Sequence, residues 1–199
     1  MRGFLPVLML VVAAASAGAQ GIKMNLDPAS TIRVDGTSNV HAWHATTSEI
    51  TATIQVAPPV GAGSSVESVT LTLPVKSLKS GKGGLDKNLY KALKADQNPT
   101  ITFVMKTYSA SPSGDGYAAV ITGELTVNGV TRPVQAEAAM TSDGKGGLRA
   151  VGTSPMKMTD FGVKPVTALL GTIRTGDAIT VKFDLAGSAA TAIAQLPRE

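Results

Sequence analysis

Two histidines, a scatter of carboxylates and one Asp-Phe-Gly triplet are the side chains in this sequence whose types could do chemistry. His41 and His44 are the only histidines, and cysteine is absent. Three residues apart on an extended chain, the two imidazoles point to opposite faces, and no acid is grouped with them to complete a metal site. A hydrogen-bonded histidine at the start of a strand is the plainer role. No Gly-x-Ser-x-Gly elbow supplies a serine for either to activate. Paired carboxylates need only meet in space, as in glycoside hydrolysis. Glu124, Glu137 and Asp184, however, alternate with apolar neighbours and so fall on the polar side of their segments. Asp160-Phe161-Gly162 lacks the glycine-rich loop, strand lysine and catalytic loop of a kinase, and it reads as a turn with Phe161 tucked inward. Without cysteine there are no disulfides, thiol nucleophiles or thiolate metal sites. The residues therefore describe a protein that is not an enzyme, with no catalytic residues, no metal and no cofactor.

The elements that hold these residues are strands. Ser30 to Thr37 carries Ile32 and Val34 at spacing two. Trp43 to Val56 ends in Ile50, Ala52, Ile54 and Val56, with polar residues between them. The alternation returns in Val69, Leu71, Leu73 and Val75, and again in Ile101, Phe103 and Met105. Tyr117 to Val127 includes Ile121 and Leu125 and runs into Asn128-Gly129, a type I′ hairpin signal because both positions need positive φ. Val134 to Met140, Leu148 to Met156 and Ile179 to Leu185 follow, the last with Val181 and Phe183. About eight segments, each with one apolar and one polar face and joined by Gly/Ser/Asn/Asp turns, predict an all-β, antiparallel barrel or sandwich. One helix interrupts them over 86–95, where Leu85, Leu89 and Leu93 make a stripe suited to a lid or plug. Asp86 suits the positive end of its dipole, and Lys87, Lys91 and Lys94 form a solvated face. Val163 to Leu170, with Leu169-Leu170, reads as a lid over a lumen or as a packed loop.

A barrel of this strand number is either filled by side chains or holds one slender ligand. Inward residues of mixed size, such as Phe103 and Phe183 beside Ala136 and Ala138, fit both equally. In the hollow case each buried CH₂ contributes about 0.8 kcal/mol, so a greasy ligand needs no charged partner inside. In the filled case the protein is a non-enzymatic interaction module that reaches a membrane partner through its loops.

The first residues resemble a cleavable export signal. Arg2 precedes an apolar run from Phe4 to Ala15, too short to span a bilayer, and Ala17-Gly18-Ala19 is a small-x-small cleavage site. Cleavage leaves residues 20–199 as a single domain with a core over 28–187 and a weakly helical tail over 188–199. No cysteine is present to carry a lipid anchor, so the mature protein is expected to be free in an extracytoplasmic compartment. The +4 charge of the 199-residue chain is mild and its lysines are scattered, which argues against nucleic acid as a partner.

Four stretches together resemble the YceI-like family. They are Thr37-Ser38-Asn39-Val40-His41-Ala42-Trp43, then Leu85 to Phe103 with Tyr90 and Asn98-Pro99-Thr100-Ile101-Thr102-Phe103, then Gly123 to Val134, and finally Asp160-Phe161-Gly162. The resemblance covers nearly all of residues 28–187. It implies an eight-stranded, lipocalin-like antiparallel barrel with one short helix that binds polyisoprenoid chains, such as the tails of isoprenoid quinones, in the periplasm. It also implies proximity to membrane b-type cytochromes. The chain departs from the family at Ala42, where an acid is frequent, and at Met158, where a base is frequent. On this reading the lumen is lined by Trp43, Ile50, Ile54, Leu71, Leu73, Ile101, Phe103, Met105, Ile121, Leu125, Met140, Phe161, Leu169, Leu170, Val181 and Phe183. His41 is then a polar contact at the rim.

Overall fold

The computed structural model describes residues 21–168 and 172–190. The stretch read as an export signal, the end of the tail and Leu169-Leu170 lie outside them. Eleven strands in chain order build the sheet: β1 (Ile22–Leu26), β2 (Thr31–Ser38), β3 (Trp43–Thr47), β4 (Thr51–Val56), β5 (Val66–Pro74), β6 (Thr100–Ser113), β7 (Gly116–Val127), β8 (Val130–Ser142), β9 (Gly147–Lys157), β10 (Thr167–Ala168) and β11 (Ile173–Ala189). All pairings are antiparallel, and β1 closes the ring by pairing with both β4 and β11. Two staves are interrupted. β1 and β2 run end to end along β11, and β3 continues into β4, so the eleven strands make an eight-stave closed barrel with β10 as a flap on β11.

Each interruption has a local cause. Pro28 cannot donate to a ladder, and the chain bends there. Ser30 secures the bend by donating from its hydroxyl to Ala186 O at 3.2 Å while accepting Ala186 N at 3.1 Å. Between β3 and β4, the Glu49 amide donates to the Thr47 hydroxyl at 3.0 Å and Ile50 N to Ser48 O at 3.0 Å, which turns the chain out of the ladder. β1 is not among the strands read from the sequence, and it carries the barrel below the expected core boundary at residue 28. Ile22, Met24 and Leu26 carry the same period-two signal as the other staves, and Met24 is buried. At the other end of the chain Ser188 and Ala189 belong to β11 rather than to a helical tail, because Met24 and Asn25 pair with them.

The helix α1 (Gly83–Ala92) begins and ends three residues before the span read from the leucine stripe. Asp86 acts within the first turn, accepting Ser80 N at 2.8 Å and the Ser80 hydroxyl at 2.5 Å. Lys94 in a left-handed conformation, φ 48°, ends the helical path. The type I′ turn is present as read, with Asn128 at φ 54° and Gly129 at φ 74°.

The main packed core sits at one end. Val75, Leu78, Leu93, Ala95, Phe161 and Val163 are all under 8 % exposed and lock α1 and two 3₁₀ turns, Val75–Ser77 and Met158–Phe161, onto the strand ends. The Tyr90 hydroxyl ties α1 down by a bifurcated bond to Leu78 O at 2.8 Å and Lys76 O at 3.0 Å. A smaller cluster of Ala119, Ala138 and Met140 forms a floor towards the opposite end. Between cap and floor the barrel is not filled.

Candidate functional site: an apolar lumen

The space inside the barrel is a cavity of about 380 Å³, within the range of small-molecule sites. Strand alternation creates it: one face of every stave points inward and is apolar. Ile54, Leu71, Ile101, Phe103, Val181 and Phe183 border it and remain only partly buried. Trp43, Leu73, Met105, Ile121, Leu125, Met140 and Phe161 also line it. Ile50 does not. It lies in the break between β3 and β4, where the inward phase resets, and packs against the cap core instead. Leu169 and Leu170 fall outside the described residues.

Three lumen aromatics rest on cross-strand glycines. A Cβ added at Gly36 would lie 2.2 Å from the Trp43 ring, one at Gly123 2.4 Å from Phe103, and one at Gly152 2.4 Å from Phe183. Glycine in a strand interior marks such close approaches. Here it lets a flat ring lie against the wall and leaves the lumen open. The indole N–H of Trp43 donates to Thr37 O at 3.1 Å, which fixes the ring at the top of the barrel.

The mouth lies beside α1. Among the described residues that border the cavity, His41 and Asn88 are the exposed ones, and they mark where the lumen meets solvent. The loop carrying His41 is tied in place by Ser38, whose hydroxyl donates to His41 O at 2.8 Å. Asn39 anchors it across the mouth, donating from its side chain to Thr172 O and accepting Arg174 N, both at 2.8 Å. The His41 ring nitrogen Nδ1 lies 3.1 Å from Ala42 O, while His44 is exposed on the outer face, as the alternation requires. Leu85 and Leu89 of α1 border the cavity and Leu93 is buried beneath them, so the helix caps the barrel. Lys87 and Lys91 project outward beside this opening, and Val40 next to His41 is 61 % exposed.

The Asp-Phe-Gly segment is a turn with Phe161 3 % exposed and Gly162 at φ 66°. Asp177 accepts Thr159 N at 2.9 Å and the Thr159 hydroxyl at 2.7 Å, and these bonds hold its carboxyl below the usual carboxylate range. Asn128 of the β7–β8 hairpin donates to Phe161 O at 3.2 Å, and Arg132 to Asp160 O at 3.0 Å. The stretches that carry the family resemblance therefore meet at one end of the barrel. Met158 borders the cavity, so this departure from the family makes the upper wall apolar. Glu124 and Glu137 are exposed outside the barrel, and Asp184 is bound there by Arg149 at 2.5 Å.

Sequence reasoning missed several lining residues: Met24 and Leu26 on β1, Leu148 and Ala150 on β9, and Tyr108 on β6. Tyr108 was hidden by a bulge. Met105 faces Gly123 and Thr107 faces Thr122, so Lys106 is the extra residue and the inward phase moves from odd to even positions.

A closed eight-stave antiparallel barrel with a capped, apolar lumen defines the class: a hollow binding barrel of lipocalin-like form. The YceI-like domain model matches residues 24–187, and the chain belongs to that family. It is 36 % identical over 107 residues to a UPF0312 protein of Pseudomonas aeruginosa, covering 50 % of this chain and 54 % of that protein. A UPF0312 protein of Shewanella baltica is 35 % identical over 103 residues, with 48 % and 52 % covered. The chain spans about half the length of the curated relatives it matches. Among solved structures, Burkholderia cenocepacia BcnA superposes with a TM-score of 0.64 at 20 % identity, over 81 % of this chain and 99 % of that one. A polyisoprenoid binding domain from Saccharophagus degradans gives 0.62 at 11 % identity, over 86 % and 99 %. At these identities the solved structures show the shared fold.

Proposed function

We propose that this protein binds a polyisoprenoid or isoprenoid-quinone-like lipid in its lumen and serves as a carrier or reservoir in the periplasm, not as an enzyme. The observation that supports this most is the cavity itself: a long space walled by apolar side chains, with its polar groups gathered mainly at one mouth. Such a wall offers a chain ligand burial and little else, and burial at about 0.8 kcal/mol per CH₂ is sufficient for tight binding after ordering costs. The polyisoprenoid-binding domain that shares the fold adds weight to an isoprenoid cargo.

The mouth is suited to exchange with a membrane. Between residues 76 and 96 stand six lysines and two aspartates, an excess that equals the +4 of the whole chain. Anionic headgroups attract such a patch, and the exposed Val40 supplies an apolar tip beside it. A membrane b-type cytochrome that uses quinone is the protein partner this role suggests.

Mass spectrometry of organic extracts from the purified mature protein tests the reading, with Ala136→Phe as the control. Ala136 lines the lumen, and a benzyl group there occupies the path of a chain. The expected result is a recovered isoprenoid lipid from the wild type and at least about tenfold less from the variant. Repeated recovery of no lipid from the wild type contradicts the proposal.

A further inference from the structure

Of the three glycines beneath lumen aromatics, one answers to its ring alone. At Gly123 and Gly152 an added Cβ would also come within 3.0 Å of a neighbouring strand's carbonyl oxygen, that of Val104 and that of Glu137. The sheet itself therefore excludes a side chain at those two positions. At Gly36 the three nearest atoms all belong to the Trp43 indole, each within 3.0 Å. Gly36 sits inside β2, pairs directly with Trp43 and has no left-handed φ, so its backbone is open to any residue. Glycine inside a strand costs stability, and here only the ring accounts for it. The indole covers Gly36, which is buried, while Trp43 itself is half-buried and borders the cavity. The bond from the indole N–H to Thr37 O at 3.1 Å holds the ring in that place. Trp43 stands two residues from His41 at the mouth, on the path of a chain entering the lumen.

We infer that Gly36 is a specificity-determining residue: by seating the Trp43 indole flat against the wall, it keeps the neck of the lumen wide enough for a methyl-branched chain. This rests on the lipid-carrier reading above and adds to it the residue pair that sets the admitted width. A Cβ at position 36 would need an ordinary contact of about 3.5 Å with the ring, which lifts the indole into the lumen by more than about 1 Å. A straight chain has width to spare at such a neck and a branched one does not. One methylene group in an apolar pocket is enough to discriminate by about 10–200-fold.

The test compares wild type, Gly36→Ala, Trp43→Leu and the double variant by calorimetric titration with two alcohols. Hexahydrofarnesol and dodecanol carry the same hydroxyl on the same main chain and differ only in methyl branches. Gly36→Ala is expected to bind hexahydrofarnesol about tenfold more weakly and dodecanol within about twofold of wild type. With leucine at position 43 the same Gly36→Ala change should alter neither affinity by more than about twofold, because alanine acts only through the ring. Equal weakening of both alcohols, no change in either, or an undiminished effect in the Trp43→Leu background overturns the inference and leaves the carrier reading standing. If Gly36→Ala does not fold, Trp43→Leu alone decides: the affinity for retinol, whose cyclic end is broader than a methyl branch, is expected to rise at least about fivefold relative to dodecanol. An unchanged or lower ratio overturns the inference. Failure of the wild type to bind either alcohol overturns both readings.

Discussion

Phe161 and Phe103 carry the same side chain in opposite surroundings. Phe161 is 3 % exposed and enclosed by the cap core, with its turn held by Asn128 and Arg132. Phe103 lies against Gly123 on one side and borders the lumen on the other. The cap is packed as a protein interior is packed, and the body of the barrel is not. Stability is thus concentrated at one end and along the strand ladders, which frees the wall to face a ligand.

Truncation at the two sites sharpens the contrast. Phe161→Ala removes a ring that is buried in the cap core and is expected to cost about 3–5 kcal/mol in urea unfolding. Phe103→Ala removes a ring that already lacks neighbours on one face, and roughly half that cost is expected. Equal losses would show that the lumen wall is as tightly supported as the cap.

The two ends also differ in charge. The triple variant Lys87→Glu, Lys91→Glu, Lys94→Glu should reduce cosedimentation with phosphatidylglycerol vesicles by about tenfold or more at low salt. Wild-type binding should itself fall as salt rises, and neither protein should distinguish pure phosphatidylcholine vesicles. Unchanged binding of the variant would remove the mouth from the exchange step.

The smallest effect concerns acid. Asp86 is held below its ordinary pKa first by the Ser80 hydroxyl, Asp177 by the Thr159 hydroxyl, and Asp35 on the barrel wall by Lys182. A carboxylate depressed in the fold stabilises above its unfolded pKa of about 3.9, and that contribution disappears as pH falls through the lower folded value. The urea midpoint should therefore be flat with respect to these groups from about pH 5 to 8 and decline below about pH 4. Asp177→Asn should flatten part of that decline, whereas an unaltered profile would show that this tie to the cap turn carries no stability.

Much of this architecture was legible because alternation is a local property. The staves, the Asn128-Gly129 turn and the inward Phe161 follow from spacing and turn chemistry alone. What escaped depends on partners distant in sequence. β1 is a short stretch whose role appears only when it closes against β11, and Ile50 left the lumen because Thr47 and Ser48 bend the chain just before it. Tyr108 escaped for the same reason: a one-residue bulge reverses the phase of β6, and no composition signal at Lys106 announces it. The volume of the lumen was not readable at all, since alternation fixes which residues face inward and not whether they meet. The four stretches that resemble the family build the cap and mouth more than the wall, so the fold was clearer in the sequence than the site.

Native mass spectrometry of the intact, gently purified protein tests the central claim most directly. The account predicts a species heavier than the bare chain by one lipid, displaced by added ubiquinone-2 and lost in Ala136→Phe. A bare chain mass that stays unchanged after incubation with ubiquinone-2 would contradict it.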